Sequence, residues 1–459
     1  MVRWIPPTEE DASMLAELGI SSVEELFQDI PRKALVRKIG LAKPLGEEEV
    51  VDRIDGLLDR NKPLGEFDSF LGGGYRSLYQ PAVVDGLLQR SEFYTAYTPY
   101  QAEASQGTLQ AIFEFQSLWA EMTGMEVANA SLYDGATAIA EAMLMARRLH
   151  PGRRFVVPKS LFWERRSVLE NYARGTGAEM AEVPWDPATG ELDVDALKRE
   201  CANDCFGLLV EYPNSIGVLE ESLPTLKSLI GDVPLVVAAD PLSLLLLEPP
   251  GSLGADIVVG EGQGLGSSPS YGGPLLGLMA TRKAHVRQMP GRLVGATRDR
   301  AGRRAYTLTL QTREQHIRRS RATSNVCTNN ALVALSFLLF ASARGPRRMR
   351  ELIESLAERT HHLADALSRV EGMTAPKFRG PFLTDFVVGL DGVDPSRFLE
   401  AMAERKILAG TSLADPRPGA APLGFSGLLT SVDGRVDHRA IDRYAKAAAE
   451  VLAELRRSP

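Results

Sequence analysis

Six short strand candidates, most of them apolar throughout, recur along the middle of the chain, at 155–157, 179–183, 206–211, 235–239, 257–259 and 275–280. Stretches with helical spacing, around 163–175, 193–201 and 222–231, separate several of them. A strand with one wet face alternates apolar and polar residues, whereas a run that is apolar throughout needs cover on both faces. Helices placed between such strands supply that cover. The alternation therefore predicts an α/β fold built on a mostly parallel sheet with helices on either side.

The flanks read differently. Leu109, Ile112, Phe113, Phe115, Leu118 and Trp119 fall at helical spacing and predict a buried helix over 107–123, followed by a second over 135–149. From about Asn329 a long helical connector runs to Glu371. Strand-like 382–388 and 427–430 then flank a helix near 395–405, and a last helix closes the chain near 437–456. These predict a small C-terminal α+β domain. Ahead of the sheet, Thr8-Glu9-Glu10-Asp11 reads as a helix start, with acids against the positive end of the dipole, and Ser21-Ser22-Val23-Glu24-Glu25-Leu26 as a second. Residues 8–62 carry too few apolar groups for a core and read as an arm lying on another surface. The expected domains are 1–65 (arm), 66–340 (large α/β) and 341–459 (small α+β).

Composition removes several function classes. The chain of 459 residues is 44% hydrophobic and 24% charged, which excludes disorder as the main state. A net charge of -7 argues against a basic nucleic-acid binder. No apolar run approaches the ~20 residues of a membrane span, and Met1-Val2-Arg3-Trp4-Ile5-Pro6-Pro7 lacks the apolar core of a signal peptide. Three cysteines, Cys201, Cys205 and Cys327, make no disulfide framework, and Cys201 with Cys205 lacks the partners of a metal site. A cytoplasmic protein with no membrane, metal or nucleic-acid partner is expected.

Four segments carry possible chemistry. Asp134-Gly135-Ala136-Thr137-Ala138 opens a helix, where small residues leave N–H groups free for a phosphate; Asp134 reads equally as a helix cap. The run 236–239 delivers Asp240 at the carboxyl end of a strand, where open α/β sheets bind ligands. A carboxylate there suits a protonated pyridine nitrogen, or merely caps a turn. The glycine-rich stretch 260–274 suggests close backbone approach to a ligand or a neighbouring subunit, or else a flexible loop. It lacks the lysine and spacing of a Walker-type nucleotide loop. Arg321-Ala322-Thr323-Ser324-Asn325-Val326-Cys327-Thr328-Asn329 gathers small hydrogen-bonding groups before a helix, for orienting a ligand or for capping.

Together these segments resemble the fold of pyridoxal 5'-phosphate (PLP)-dependent transferases of the aspartate aminotransferase type. More narrowly, the chain resembles the glycine-cleavage P-protein family, and within it the alpha (first) subunit of the split form. The resemblance rests on residues 91–101 (SEFYTAYTPYQ), on 126–138 (EVANASLYDGATA), on 249–260 (PPGSLGADIVVG) and on 321–329 (RATSNVCTN). It extends over nearly the whole chain.

The family's chemistry needs a lysine amine that forms a Schiff base with PLP, a few tens of residues beyond the pyridine-binding acid. No lysine stands between Asp240 and Lys283, and Lys283 lies beyond the glycine-rich stretch. The beta subunit of the family carries a His-Lys-Thr loop before a Gly-Gly-Pro segment. The same interval counted back from Gly272-Gly273-Pro274 lands on Gln263 here, and an amide is no nucleophile. The resemblance thus implies a non-lysine half of a paired site, with PLP bound covalently by the partner subunit. It implies that Tyr94, Tyr97, Gln101, Thr323, Ser324 and Asn325 contribute hydroxyls and amides across a subunit boundary. Asp134, Gly135 and Asp240 are left as a vestigial cofactor site, Asp240 being a relic or a structural ligand of the glycine-rich stretch. The implied activity is that of a glycine dehydrogenase (decarboxylating), with PLP as the electron sink. It involves a beta-type subunit in an α2β2 assembly and the lipoylated H-protein, which receives the aminomethyl group. Members of the family often show His-Pro near 161–164 and an aromatic pair near 213–217; this chain has Leu161-Phe162-Trp163-Glu164 and Pro213-Asn214-Ser215-Ile216-Gly217. The stretch 282–321 holds twelve Lys or Arg and two acids, a rim for an acidic carrier or a solvated surface. A self-sufficient PLP enzyme is opposed by the missing lysine; a catalytically silent homodimer acting as scaffold or regulator is the remaining alternative.

Overall fold

A computed structural model describes residues 9–36, 40–74, 76–202, 204–413 and 425–457, and the side chains from residue 11 onward within them. Met1 to Thr8, including the first residue of the expected N-terminal helix, lie outside the described residues. The chain divides into two units, 1–62 and 63–459. The first contains the helix Glu9–Glu17, a single 3-10 turn Val23–Phe27 and the helix Glu47–Leu58. No described residue from Asp11 to Lys62 is buried, so this unit has no core of its own. Its longest helix, Glu47–Leu58, was not singled out in the sequence, because three leading glutamates mask its apolar positions.

The second unit is built on a seven-stranded sheet. Its order is Val127–Ala128, Gly277–Thr281, Ile257–Glu261, Leu235–Ala239, Cys205–Tyr212, Arg154–Pro158 and Glu179–Val183. Gly277–Thr281 runs antiparallel to both its neighbours, and the pairings from Ile257–Glu261 to Glu179–Val183 are parallel. The strand period of two sends alternate side chains to opposite faces. Val156 enters one core with Trp119 and Phe337, while Phe155 and Val157 enter another with Met143 and Ala146 of the helix Gly135–Leu149. Both faces are thus apolar, as the unbroken runs require. The helices Trp163–Thr176, Val194–Cys201 and Leu223–Ile230 fall where their periodicity placed them.

The long helix Ala331–Leu367 kinks at Gly345-Pro346. Beyond it comes a four-stranded antiparallel sheet, ordered Met373–Thr374, Asp385–Leu390, Leu428–Ser431 and Thr411–Ser412. The helices Pro395–Glu404 and His438–Arg457 cover it, around a core containing Phe386, Phe398 and Tyr444. The sequence did not reveal the antiparallel hairpin Leu293–Arg298 with Arg304–Thr309, whose arginines hide its alternation.

Candidate functional site

The parallel strands end at a common edge, and there a cavity of about 300 Å³ opens, lined by Gly73, Asp134, Gly135, Glu164, Asp240 and Glu261 among others. Three of its walls are strand or helix termini, where backbone groups lack partners within their own element. At the helix Gly135–Leu149, Asp134 caps the first turn. Its Oδ1 accepts the Thr137 N–H at 2.7 Å and its Oδ2 the Thr137 hydroxyl at 2.8 Å. The Gly135 N–H is left for another acceptor, and Glu261 supplies it: Oε2 accepts that N–H at 2.9 Å. The other oxygen, Oε1, takes the N–H groups of Gln263 and Leu276 at 2.9 and 2.8 Å. Burial raises the Glu261 pKa against these three donors, which favour the charged form.

Asp240 stands at the carboxyl end of Leu235–Ala239, as its sequence position indicated. Its Oδ2 accepts the Ser243 hydroxyl at 2.6 Å and N–H at 3.3 Å, and its Oδ1 the Leu242 N–H at 3.3 Å. The same carboxylate lies 3.6 Å from the guanidinium of Arg76. Arg76 is buried and is held on its other side by Thr384, at 2.6 Å, and by Asp385. The Asp240 carboxylate is thus held by Leu242, Ser243 and Arg76 rather than by the glycine-rich stretch.

Gln263 follows the strand Ile257–Glu261 by two residues and is 1% exposed. Its Nε2 donates to the Ser267 carbonyl at 2.7 Å, and its Oε1 is buried without a hydrogen-bond partner. No lysine lines the cavity among the described residues. Lys283 is exposed, in a turn past the strand Gly277–Thr281. The glycine-rich stretch makes its close approach within the chain: at Gly266, with φ +102°, a Cβ would meet the Ser336 carbonyl at 2.5 Å.

PLP is the cofactor that the resemblance implies, and the residues around this cavity do not fit it. Its aldehyde requires an amine, and no lysine lines the cavity among the described residues; Gln263, which stands in the lysine's place in the sequence, is buried outside that lining. Its phosphate requires the helix N-terminus that Glu261 already serves, and its pyridine N–H requires an aspartate that already faces Arg76. The two segments that depart from the family pattern bear on the same walls. Glu164 and Pro213 line the cavity, and Ser215 is tied to the fully buried Glu211, which also pairs with Arg165.

The residues expected to act across a boundary lie elsewhere, and none of the six lines this cavity. Tyr94 and Tyr97 are 67% and 76% exposed, and Gln101 is exposed at the start of a short turn. Thr323 and Ser324 are half-buried and line a shallow pocket with Arg292, Arg313 and Glu314, while Asn325 is exposed. Tyr100 ties the first segment to that pocket: its hydroxyl accepts from the buried Arg292 at 3.1 Å, and its ring lies under that guanidinium. Nothing in the sequence marks Arg76, Glu261 or Arg292 as site residues. Forty-one arginines give no single one contrast, and Glu261 sits inside a stretch whose glycines draw the eye.

Known proteins resemble this chain over most of its length. The family model described as glycine cleavage system P-protein matches residues 2–408. A protein of Desulfitobacterium hafniense described as probable glycine dehydrogenase (decarboxylating) subunit 1 is 42% identical over 421 residues, covering 90% of this chain and 92% of its own. The protein of the same description from Pyrococcus horikoshii is 44% identical and covers 98% of this chain and 99% of its own. A crystal structure of glycine decarboxylase (P-protein) of the glycine cleavage system, in inhibitor-bound form, superposes with a TM-score of 0.88. It is 39% identical, with 98% of this chain and 100% of that one covered. Lactobacillus brevis glutamate decarboxylase, 13% identical with a TM-score of 0.67, shares the fold, covering 96% of this chain and 98% of its own.

Proposed function

This chain belongs to the glycine cleavage system P-protein family, and from that premise we propose that it is the alpha subunit of a glycine decarboxylase that works as one half of a heteromeric enzyme. The observation that carries the reading is Gln263. The strand that should deliver a cofactor-binding lysine delivers a buried amide, in a chain whose relatives bear the description subunit 1. A beta-type subunit then supplies the lysine and holds PLP, in an α2β2 assembly. PLP there provides the electron sink for loss of carbon dioxide from glycine, and the aminomethyl group passes to the lipoyl arm of H-protein.

The chain's own part is to complete the partner's site. Tyr94, Tyr97 and Gln101 present exposed hydroxyls and an amide on one segment, and Thr323, Ser324 and Asn325 present theirs on another. Side chains exposed in one subunit and apposed to a reacting group in the next gain strength as water leaves, which favours a closed interfacial site. Their work is to orient glycine and the cofactor phosphate. No described helix is long and apolar enough to cross a membrane, consistent with a cytoplasmic setting.

The test is glycine-dependent release of carbon dioxide in the presence of lipoylated H-protein. The chain with its beta-type partner should show it, and each alone should not. Activity of this chain alone would refute the reading.

A further inference from the structure

We propose that the chain has satisfied the binding groups of its own cofactor site with protein charges: Glu261, at the cavity wall, takes the place of a phosphate, and Arg76, beside Asp240 but outside the cavity lining, that of a pyridinium N–H, so that PLP is excluded whatever residue stands at 263. The inference deepens the proposed function, resting on its alignment of Gln263 with the partner's lysine.

The geometry of the two stand-ins carries it. A phosphate at a helix N-terminus is bound by free N–H groups and by the positive end of the dipole. Here the Gly135 N–H and the neighbouring Gln263 and Leu276 N–H groups converge on one carboxylate, that of Glu261. A second acid, Asp134, closes the same helix end. A phosphate entering there would have to displace Glu261 and would meet two like charges at close range. On the opposite side, a protonated pyridine nitrogen would look for Asp240. That carboxylate already accepts three hydrogen bonds from Leu242 and Ser243 and lies beside the Arg76 guanidinium. Arg76 is buried and anchored by Thr384 and Asp385, so it cannot swing out to make room. A pyridinium would be a second cation on an acid that one cation already satisfies.

The remaining lining agrees. Asp134, Glu164, Asp240 and Glu261 face the cavity with Arg165, and the Arg165 charge is spent on the fully buried Glu211. The walls repel a phosphorylated ligand even though the volume would admit a small one. A single Gln263→Lys exchange would therefore restore the amine without restoring the site.

The experiment uses the full chain without its partner, so its outcome is independent of whether the pair decarboxylates glycine. Wild type, Gln263→Lys, Glu261→Ser, Glu261→Ala and the triple Gln263→Lys/Glu261→Ser/Arg76→Gln are titrated with inorganic phosphate and with pyridoxine 5'-phosphate, which lacks the aldehyde. PLP is then added, reduced with borohydride, and the adduct mapped by peptide mass. We expect no stoichiometric adduct on Gln263→Lys. Phosphate affinity should rise by about ten-fold or more in both Glu261 variants. A specific adduct should appear at position 263 of the triple variant. A stoichiometric adduct at 263 in the single Gln263→Lys variant would overturn the inference, as would phosphate binding by the Glu261 variants no tighter than wild type. If the triple variant fails to fold, as judged by circular dichroism, the two Glu261 variants decide the matter. Stoichiometric PLP on the wild-type chain would sink both this inference and the proposed function; an inactive pair with these results intact would sink only the latter.

Discussion

Glu220 shows how one residue can set a pH dependence. It is 3% exposed and bonded to the Leu192 N–H at 2.9 Å and the Asn214 amide at 2.9 Å, and burial pushes its pKa up to about 7. The folded state therefore holds a proton that the unfolded chain releases near the ordinary value of 4.5. Between these values the native state binds more protons than the unfolded state, so the contribution is full below pH 4.5 and is lost as pH rises through about 7. Glu220→Gln should flatten this by about 2.5 kcal/mol between pH 5 and pH 8. Denaturant titrations of both proteins at the two pH values measure it; equal slopes would contradict the account. The placement of a single residue was legible in the sequence where a strand delivered it, as with Asp240. Arg76 and Glu261 were not, because their partners, Asp240 and Asp385 for one and Gly135 for the other, are distant in the chain and only the fold joins them.

At the scale of elements, the large sheet and the small one meet through a tight approach of backbones. Gly217 has φ +87°, and a Cβ there would stand 2.3 Å from the carbonyl oxygen of Asp385, the residue that also holds Arg76. Val218 bridges to Phe382 beside it. Because the obstacle is main chain, no side-chain rotation relieves it. Gly217→Ala should cost about 2–4 kcal/mol, seen as a lower denaturation midpoint; a change below about 0.5 kcal/mol would refute the approach. Elements with unbroken apolar runs or strong helical spacing were readable, from 155–157 through the helix that closes the chain. The Leu293–Arg298 and Arg304–Thr309 hairpin was not: arginines cluster at and beside its turn, and that composition reads as a charged loop.

That hairpin matters for the whole molecule. Arg298, Arg300, Arg303 and Arg304 are exposed at and beside its turn, with Arg303 paired to Asp299 at 2.8 Å, in a chain of net charge -7. A local positive field of this kind attracts an acidic carrier and is screened by salt. Under the proposed function this surface would dock H-protein, and neutralising the four together should then weaken that affinity by roughly ten-fold at low ionic strength and little at high. Equal affinity at low salt, in a binding titration, would remove the hairpin from carrier docking.

The proposed division of labour between subunits is tested most directly by trapping the cofactor. The chain is incubated with PLP and borohydride, alone and with its beta-type partner, and the reduced adduct is located by peptide mass. The account predicts a stoichiometric adduct on the partner's lysine and none on this chain in either sample. A specific, stoichiometric adduct on any lysine of this chain would contradict it.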